Sequence, residues 1–157
     1  VPKPEELKFV RMFDFRCIPR GLFEQTKELE DDEIDRIYTF GSTFVASPLT
    51  LLYVLIDSTN IIKGVLWAEI NLINAVIFIR FFSVYKEYQS SKGELLNKAK
   101  DFLFGLKMGS GLKKEIHFLT TRPQAYKKIG ARRSKNVRME IDNVQIPKDK
   151  RPDDKDS

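Results

Sequence analysis

The chain has 157 residues, 42% hydrophobic and 31% charged, with a formal net charge of +5; that length suits one domain with a proper core, and the balance is that of an ordinary soluble globular protein. A single cysteine, Cys17, and a single histidine, His117, exclude an internal disulfide and argue against zinc chemistry, while so modest a charge admits an anionic ligand without demanding nucleic acid. The apolar, charge-free run Ile70 to Ile79 is about ten residues against the roughly twenty of a membrane helix, and no apolar leader opens the chain, so the expectation is a cytoplasmic protein with no membrane partner.

Leu7 to Phe13 (LKFVRMF) alternates and predicts a first strand with neither face clearly solvent-exposed. Pro19 stands at a helix start, and Leu22, Phe23, Thr26 and Leu29 give that helix an apolar face. The acidic run Glu28 to Glu33 (ELEDDE) separates it from a second helix carrying Ile34, Ile37 and Tyr38, with Phe40 at its end. The five carboxylates of that run are read as a solvated loop and helix N-terminus, where acids favour the dipole, in preference to a metal site. Gly41 and Pro48 bracket an unassigned stretch.

LLYVLID (51–57) and IIKGVLWAEINLI (61–73) flank the polar turn Ser58, Thr59, Asn60 and predict a hairpin. In its second strand Ile62, Gly64, Leu66, Ala68, Ile70 and Leu72 share the core face, and Lys63, Val65, Trp67, Glu69 and Asn71 share the other, with Trp67 and Glu69 lining a cleft. Asn74 turns the chain into AVIFIRFFSV, too apolar to alternate, as suits a central strand covered on both faces. The turn YQSSKG then opens a helix, ELLNKAKDFLFGL, with Leu95, Leu96, Ala99, Phe102, Leu103 and Leu106 on its apolar face and Lys98, Lys100 and Asp101 outward. Such a junction aims backbone N–H groups and the positive end of a helix at one spot, which suits phosphate. Ser91 to Glu94 also spells a capping box, whose serine and glutamate would occupy those N–H groups.

EIHFLTT (115–121) predicts another strand, PQAYKKIG a short helix from Pro123 to Gly130, residues 131–141 a closing strand or hairpin, and Pro147 to Ser157 a disordered charged tail. His117, between Ile116 and Phe118, is expected to be structural, and Cys17 a small buried residue. The basic set Lys127, Lys128, Arg132, Arg133, Lys135 and Arg138 reads as a solvated face; nucleic acid is not an expected partner.

The order strand, two helices, three antiparallel strands, helix, strand, helix, closing strand, over about residues 7–141, resembles the GNAT family of N-acetyltransferases. AYKKIGARRS, with Tyr126 four residues before Gly130, resembles the family's tyrosine, spacer, glycine signature. FFSVYKEYQ followed by LLNKAKDFL is similar to its cofactor-binding strand, loop and helix. The resemblance implies an α/β (α+β) fold over residues 1–146, with a mixed, mostly antiparallel central sheet flanked by helices. It implies transfer of an acetyl group from acetyl-CoA to a primary amine acceptor, and allows a homo-oligomer or larger assembly. The backbone at Phe82, Ser83 and Val84 is implied to pair with the pantetheine arm, and the turn residues Gln89, Ser90, Ser91, Lys92 and Gly93 to hold the pyrophosphate. Tyr126 would protonate the departing thiolate, and Glu69 would be the base, with an ion pair to Arg80 as its alternative role.

The turn departs from the family's pattern. Counting from Gln89 puts Lys92 and Glu94 at the positions of the small residues, and registering Gly93 as the last glycine leaves Tyr88 where the basic or amide residue belongs. That departure keeps a second reading alive: a GNAT-fold protein that no longer catalyses and serves as a binding or structural component, for example in a phage-type assembly.

Overall fold

The computed structural model describes residues 3–106 and 115–118. Tyr126, the helix expected at Pro123, the closing strand, the basic set and the tail lie outside the described residues. Among the described residues five strands form one sheet in the order β1 (Lys8–Arg11), β2 (Thr50–Ile56), β3 (Ile62–Asn71), β4 (Val76–Val84) and β5 (Glu115–Phe118). Successive strands from β1 to β4 are antiparallel, and β5 runs parallel to β4. The helices are α1 (Gly21–Glu24), α2 (Asp31–Thr39) and α3 (Lys92–Gly105). Among the described residues no helix is long and apolar enough to cross a membrane.

Apolar side chains leave the sheet on both faces, so two cores form. Leu51, Tyr53, Leu55, Leu66, Ala68 and Ile77 meet Leu95, Leu96, Ala99 and Leu103 of α3. On the opposite face Leu52, Val54, Val65, Trp67 and Phe81 meet Phe15, Leu22, Phe23, Ile34 and Ile37. This corrects the expectation that Trp67 lines a cleft. Its side chain is buried and meets the Phe15 ring edge-on at 4.8 Å, because the short turn Phe15–Cys17 and the two small helices cover that part of the sheet.

Several local expectations also give way. β1 is shorter than read and lies at the sheet edge, with Lys8 and Val10 exposed while Phe9 stacks on Phe102 at 4.6 Å. Cys17 is exposed, since Phe15 and Ile18 take the inward positions around it. The first helix stops at Glu24: the Thr26 hydroxyl donates back to the Phe23 carbonyl at 3.3 Å and Lys27 adopts a φ of 57°. Leu29 still packs on the core. The acids behave as expected, with Asp31, Asp32 and Glu33 in the first turn of α2, where Glu30 and Glu33 form a capping box.

The box read at Ser91 does not form. A 3₁₀ segment, Lys86–Ser91, runs directly into α3, and Ser91, at φ −103° and ψ 8°, makes no side-chain cap. Lys98 does not look outward; its Nζ donates to the Leu7 carbonyl at 2.7 Å and ties α3 to the start of β1.

Candidate functional site

β4 pairs with β3 along its length, but with β5 only from Val76 to Ile79. From Arg80 to Val84 its outer edge has no strand partner among the described residues. The Tyr85 N–H donates to the Lys63 carbonyl at 2.9 Å, so by alternation Phe81 and Ser83 turn their backbone groups toward β3, and Phe82 and Val84 turn theirs toward the open edge. An edge of this kind accepts an extended ligand in place of a strand.

The edge ends in a cluster of amides. The Val84 carbonyl accepts from Gln25 Nε2 at 2.5 Å and from Gln89 Nε2 at 2.6 Å, and Gln25 also donates to Ser83 Oγ at 2.8 Å. Ser83 is fully buried. Gln25 reaches the carbonyl from the end of α1 and Gln89 from the 3₁₀ segment before α3, so Gln89 is folded back onto the strand. The segment itself is held by buried Tyr88 and by Lys63 Nζ, 2.8 Å from Glu87 Oε1. That hydrogen bond to Glu87 raises the Lys63 pKa above the ordinary lysine value.

Immediately beyond lies the start of α3. Ser91 does not cap with its hydroxyl, the Lys92 N–H donates to the Gln89 carbonyl of the 3₁₀ segment, and Ser90, Gly93 and Glu94 are exposed. A Cβ built on Gly93 would meet nothing within 4 Å, so the backbone there can be approached closely. The positive end of a 14-residue helix, with two hydroxyls and Gly93 beside it, suits a phosphate group, and the carboxylate of Glu94 opposes one.

On the face shared by Trp67 and Phe81, β4 carries a bulge. Trp67 pairs with Phe81 and Ala68 with Ile79, leaving Arg80 as the extra residue. Bulges re-aim side chains: the Arg80 guanidinium sits 5.4 Å from the centroid of the Trp67 ring and 3.1 Å from Glu69 Oε1. The ion pair anticipated for Glu69 is present. Glu69 is also directly opposite Phe78, and Phe78 directly opposite His117. His117 Nε2 lies 3.0 Å from Glu115 Oε1. Glu69, Phe78 and Arg80 line an open cleft of about 620 Å³, completed by Leu49, Leu72 and Ile73.

Of the residues anticipated from sequence, Phe82, Ser83, Val84 and Gln89 come together at the strand edge, Ser90 to Gly93 continue from it, and Glu69 lies one face over. Gln25 was missed, since nothing in its neighbourhood marks a helix-end amide as reaching a strand far away in sequence. The bulge was missed because a strand apolar on both faces hides an extra residue.

No family model matches the sequence, and no curated protein is significantly similar to it. Solved structures are similar. A point mutant of the spermidine N-acetyltransferase SpeG from Vibrio cholerae superposes with a TM-score of 0.59 at 17% identity, over 80% of this chain and 78% of that one. The aminoglycoside N-acetyltransferase AAC(6')-Iy in complex with CoA gives 0.61 at 14% identity, over 91% and 99%. The aminoglycoside 6'-N-acetyltransferase AAC(6')-Ih from Acinetobacter baumannii gives 0.53 at 14%, over 88% and 99%. With its mostly antiparallel sheet, the parallel pairing of β4 with β5, and the helix that follows β4, the chain has the fold of the GNAT acetyltransferases.

Proposed function

We propose that the chain transfers an acetyl group from acetyl-CoA to a primary amine. The observation that carries this reading is the continuity of two recognition surfaces: the edge of β4 from Arg80 to Val84, which has no strand partner among the described residues, and the N-terminus of α3 reached through Ser90, Ser91, Lys92 and Gly93. The first suits an amide-bearing arm, the second an anionic pyrophosphate. One similar enzyme structure holds CoA, and the similar structures include spermidine and aminoglycoside N-acetyltransferases. On this reading the Phe82 backbone pairs with the pantetheine arm, Glu69 draws the ammonium of the acceptor toward the bulge, and Tyr126, outside the described residues, protonates the departing thiolate.

A second reading has its own support. The Val84 carbonyl is already bonded to two amides, an arrangement a non-catalytic binding protein of the same fold could keep. Titration calorimetry and thermal melting separate the two. Acetyl-CoA at 100 times its Kd should stabilise the native state by about 2.7 kcal/mol. No heat and no shift in melting temperature at millimolar acetyl-CoA would favour the non-catalytic protein.

A further inference from the structure

His117 was expected to be structural because its neighbours in sequence are apolar. Those neighbours, Ile116 and Phe118, do pack on the α3 side of the sheet. A strand alternates, so His117 and Glu115 share the opposite face, with Glu69, Phe78 and Arg80. Glu69, Phe78 and His117 form one cross-strand row, and strand spacing of about 4.8 Å sets the backbones of Glu69 and His117 about 10 Å apart, on either side of the Phe78 ring. His117 is also the residue before Phe118, whose pairing with Ile79 is the last of the β4–β5 ladder among the described residues. The imidazole therefore stands one rung before the last described pair of the β4–β5 ladder, on the face that carries the open cleft.

The two acidic groups on this face are engaged differently. Glu69 Oε1 receives the Arg80 guanidinium at 3.1 Å. Glu115 Oε1 lies 3.0 Å from His117 Nε2, and an ionised carboxylate can only accept. With Nε2 as the donor to that carboxylate, Nδ1 is the ring nitrogen turned to the acceptor role.

We propose that His117, oriented by Glu115, is the base that takes the acceptor's proton, while Glu69 holds the ammonium; this rests on the acetyl-transfer reading above. The ammonium gives one proton to Nδ1. The freed lone pair forms the C–N bond at the thioester carbonyl carbon of acetyl-CoA, and the C–S bond breaks with its electron pair leaving on sulfur. Of the two protons the nitrogen sheds, one ends on the thiolate and the other passes through the imidazole to water, so the products are amide, thiol and one proton. Phe78 supplies an apolar floor between the two groups.

The test compares His117→Gln, Glu115→Gln and wild type, with acetyl-CoA and a panel of spermidine, neamine and a lysine peptide. Melting temperatures show which variants are folded. With the fastest amine, kcat/KM of His117→Gln should fall roughly 10²-fold or more at neutral pH, with KM for acetyl-CoA unchanged. Glu115→Gln should fall by less, and the deficit of His117→Gln should shrink at a pH where the amine is already neutral. Because the chain has one histidine, its imidazole Cε1–H gives one proton resonance, which should move when wild type is saturated with the amine. A folded His117→Gln with wild-type kcat/KM, or a resonance that stays put at saturating amine, overturns the assignment and leaves Glu115 and His117 as a surface ion pair. A wild type that turns over no amine of the panel overturns the acetyl-transfer reading, and the assignment with it.

Discussion

The Val84 carbonyl is the point at which stability and ligand binding make opposite demands. Two amides satisfy it, and a ligand pairing along the edge would need to displace at least one. Gln25→Ala removes one donor to Val84 and the partner of Ser83 Oγ. Its expected outcome is a loss of about 1 kcal/mol of stability together with tighter binding of CoA, read by denaturant unfolding and calorimetry on the same protein. Unchanged affinity would mean that CoA does not use this carbonyl. Tyr38 gives a residue-scale prediction of another kind. Its hydroxyl donates to the Ile18 carbonyl, and burial pushes its pKa from 10.0 up to about 12. The folded chain keeps a proton that the unfolded chain loses first, so the stability it contributes is full below about pH 10 and is lost as pH rises through about 12. Tyr38→Phe should flatten the alkaline fall of the unfolding midpoint in that window. None of these contacts was legible in the sequence: residue types show which groups can bond, while partners so far apart along the chain are set by the packing of whole elements.

α3 shows what a sequence signature needs in order to hold. Its apolar spacing was read correctly, and Leu95, Leu96, Ala99 and Leu103 are buried. Its capping box was not, because a box requires an extended N-cap backbone. Glu30 has one, at φ −81° and ψ 160°, and caps with Glu33. Ser91, entering from a 3₁₀ segment, does not. Outward charge was misjudged for a similar reason. A lysine stem can follow an apolar surface until its ammonium finds a carbonyl, and Lys98 finds those of Leu7 and, at 3.4 Å, Pro4. Leu103→Ala should cost about 2 to 5 kcal/mol, and Lys98→Ala about 1 kcal/mol, chiefly by loosening β1. Denaturant midpoints check both; a Lys98→Ala protein as stable as wild type would show that the tether contributes nothing.

At the scale of the molecule, helices cover both faces of a sheet in which β4 is paired on its outer side, among the described residues, only from Val76 to Ile79. Gln25 comes round that edge from the layer of α1, and Gln89 from the side of α3, so both layers meet at the candidate site. The order of strands and the hairpin were legible because long apolar runs and polar turns repeat along residues 50–84. The site was legible only in outline: the strand, the turn and Glu69 were identified, but the row formed with His117 depends on a register that no local pattern encodes. That register begins at Ala75. It closes the turn between β3 and β4 with a φ of 57°, and its carbonyl accepts the Glu115 N–H at 3.1 Å.

That hydrogen bond also has a place in time. The strands from β2 to β4 are joined by short turns and can assemble early, whereas β5 must arrive from far along the chain, after α3, and pay loop-closure entropy to dock. On that order the Ala75–Glu115 contact is expected to form before the rest of the parallel ladder toward Phe118, and the face bearing His117 to be completed after β2 to β4. Hydrogen exchange under native conditions should find the amides of β5 opening at lower free energy than those of β3. Equal protection of the two strands would mean that β5 folds as one unit with the rest of the sheet.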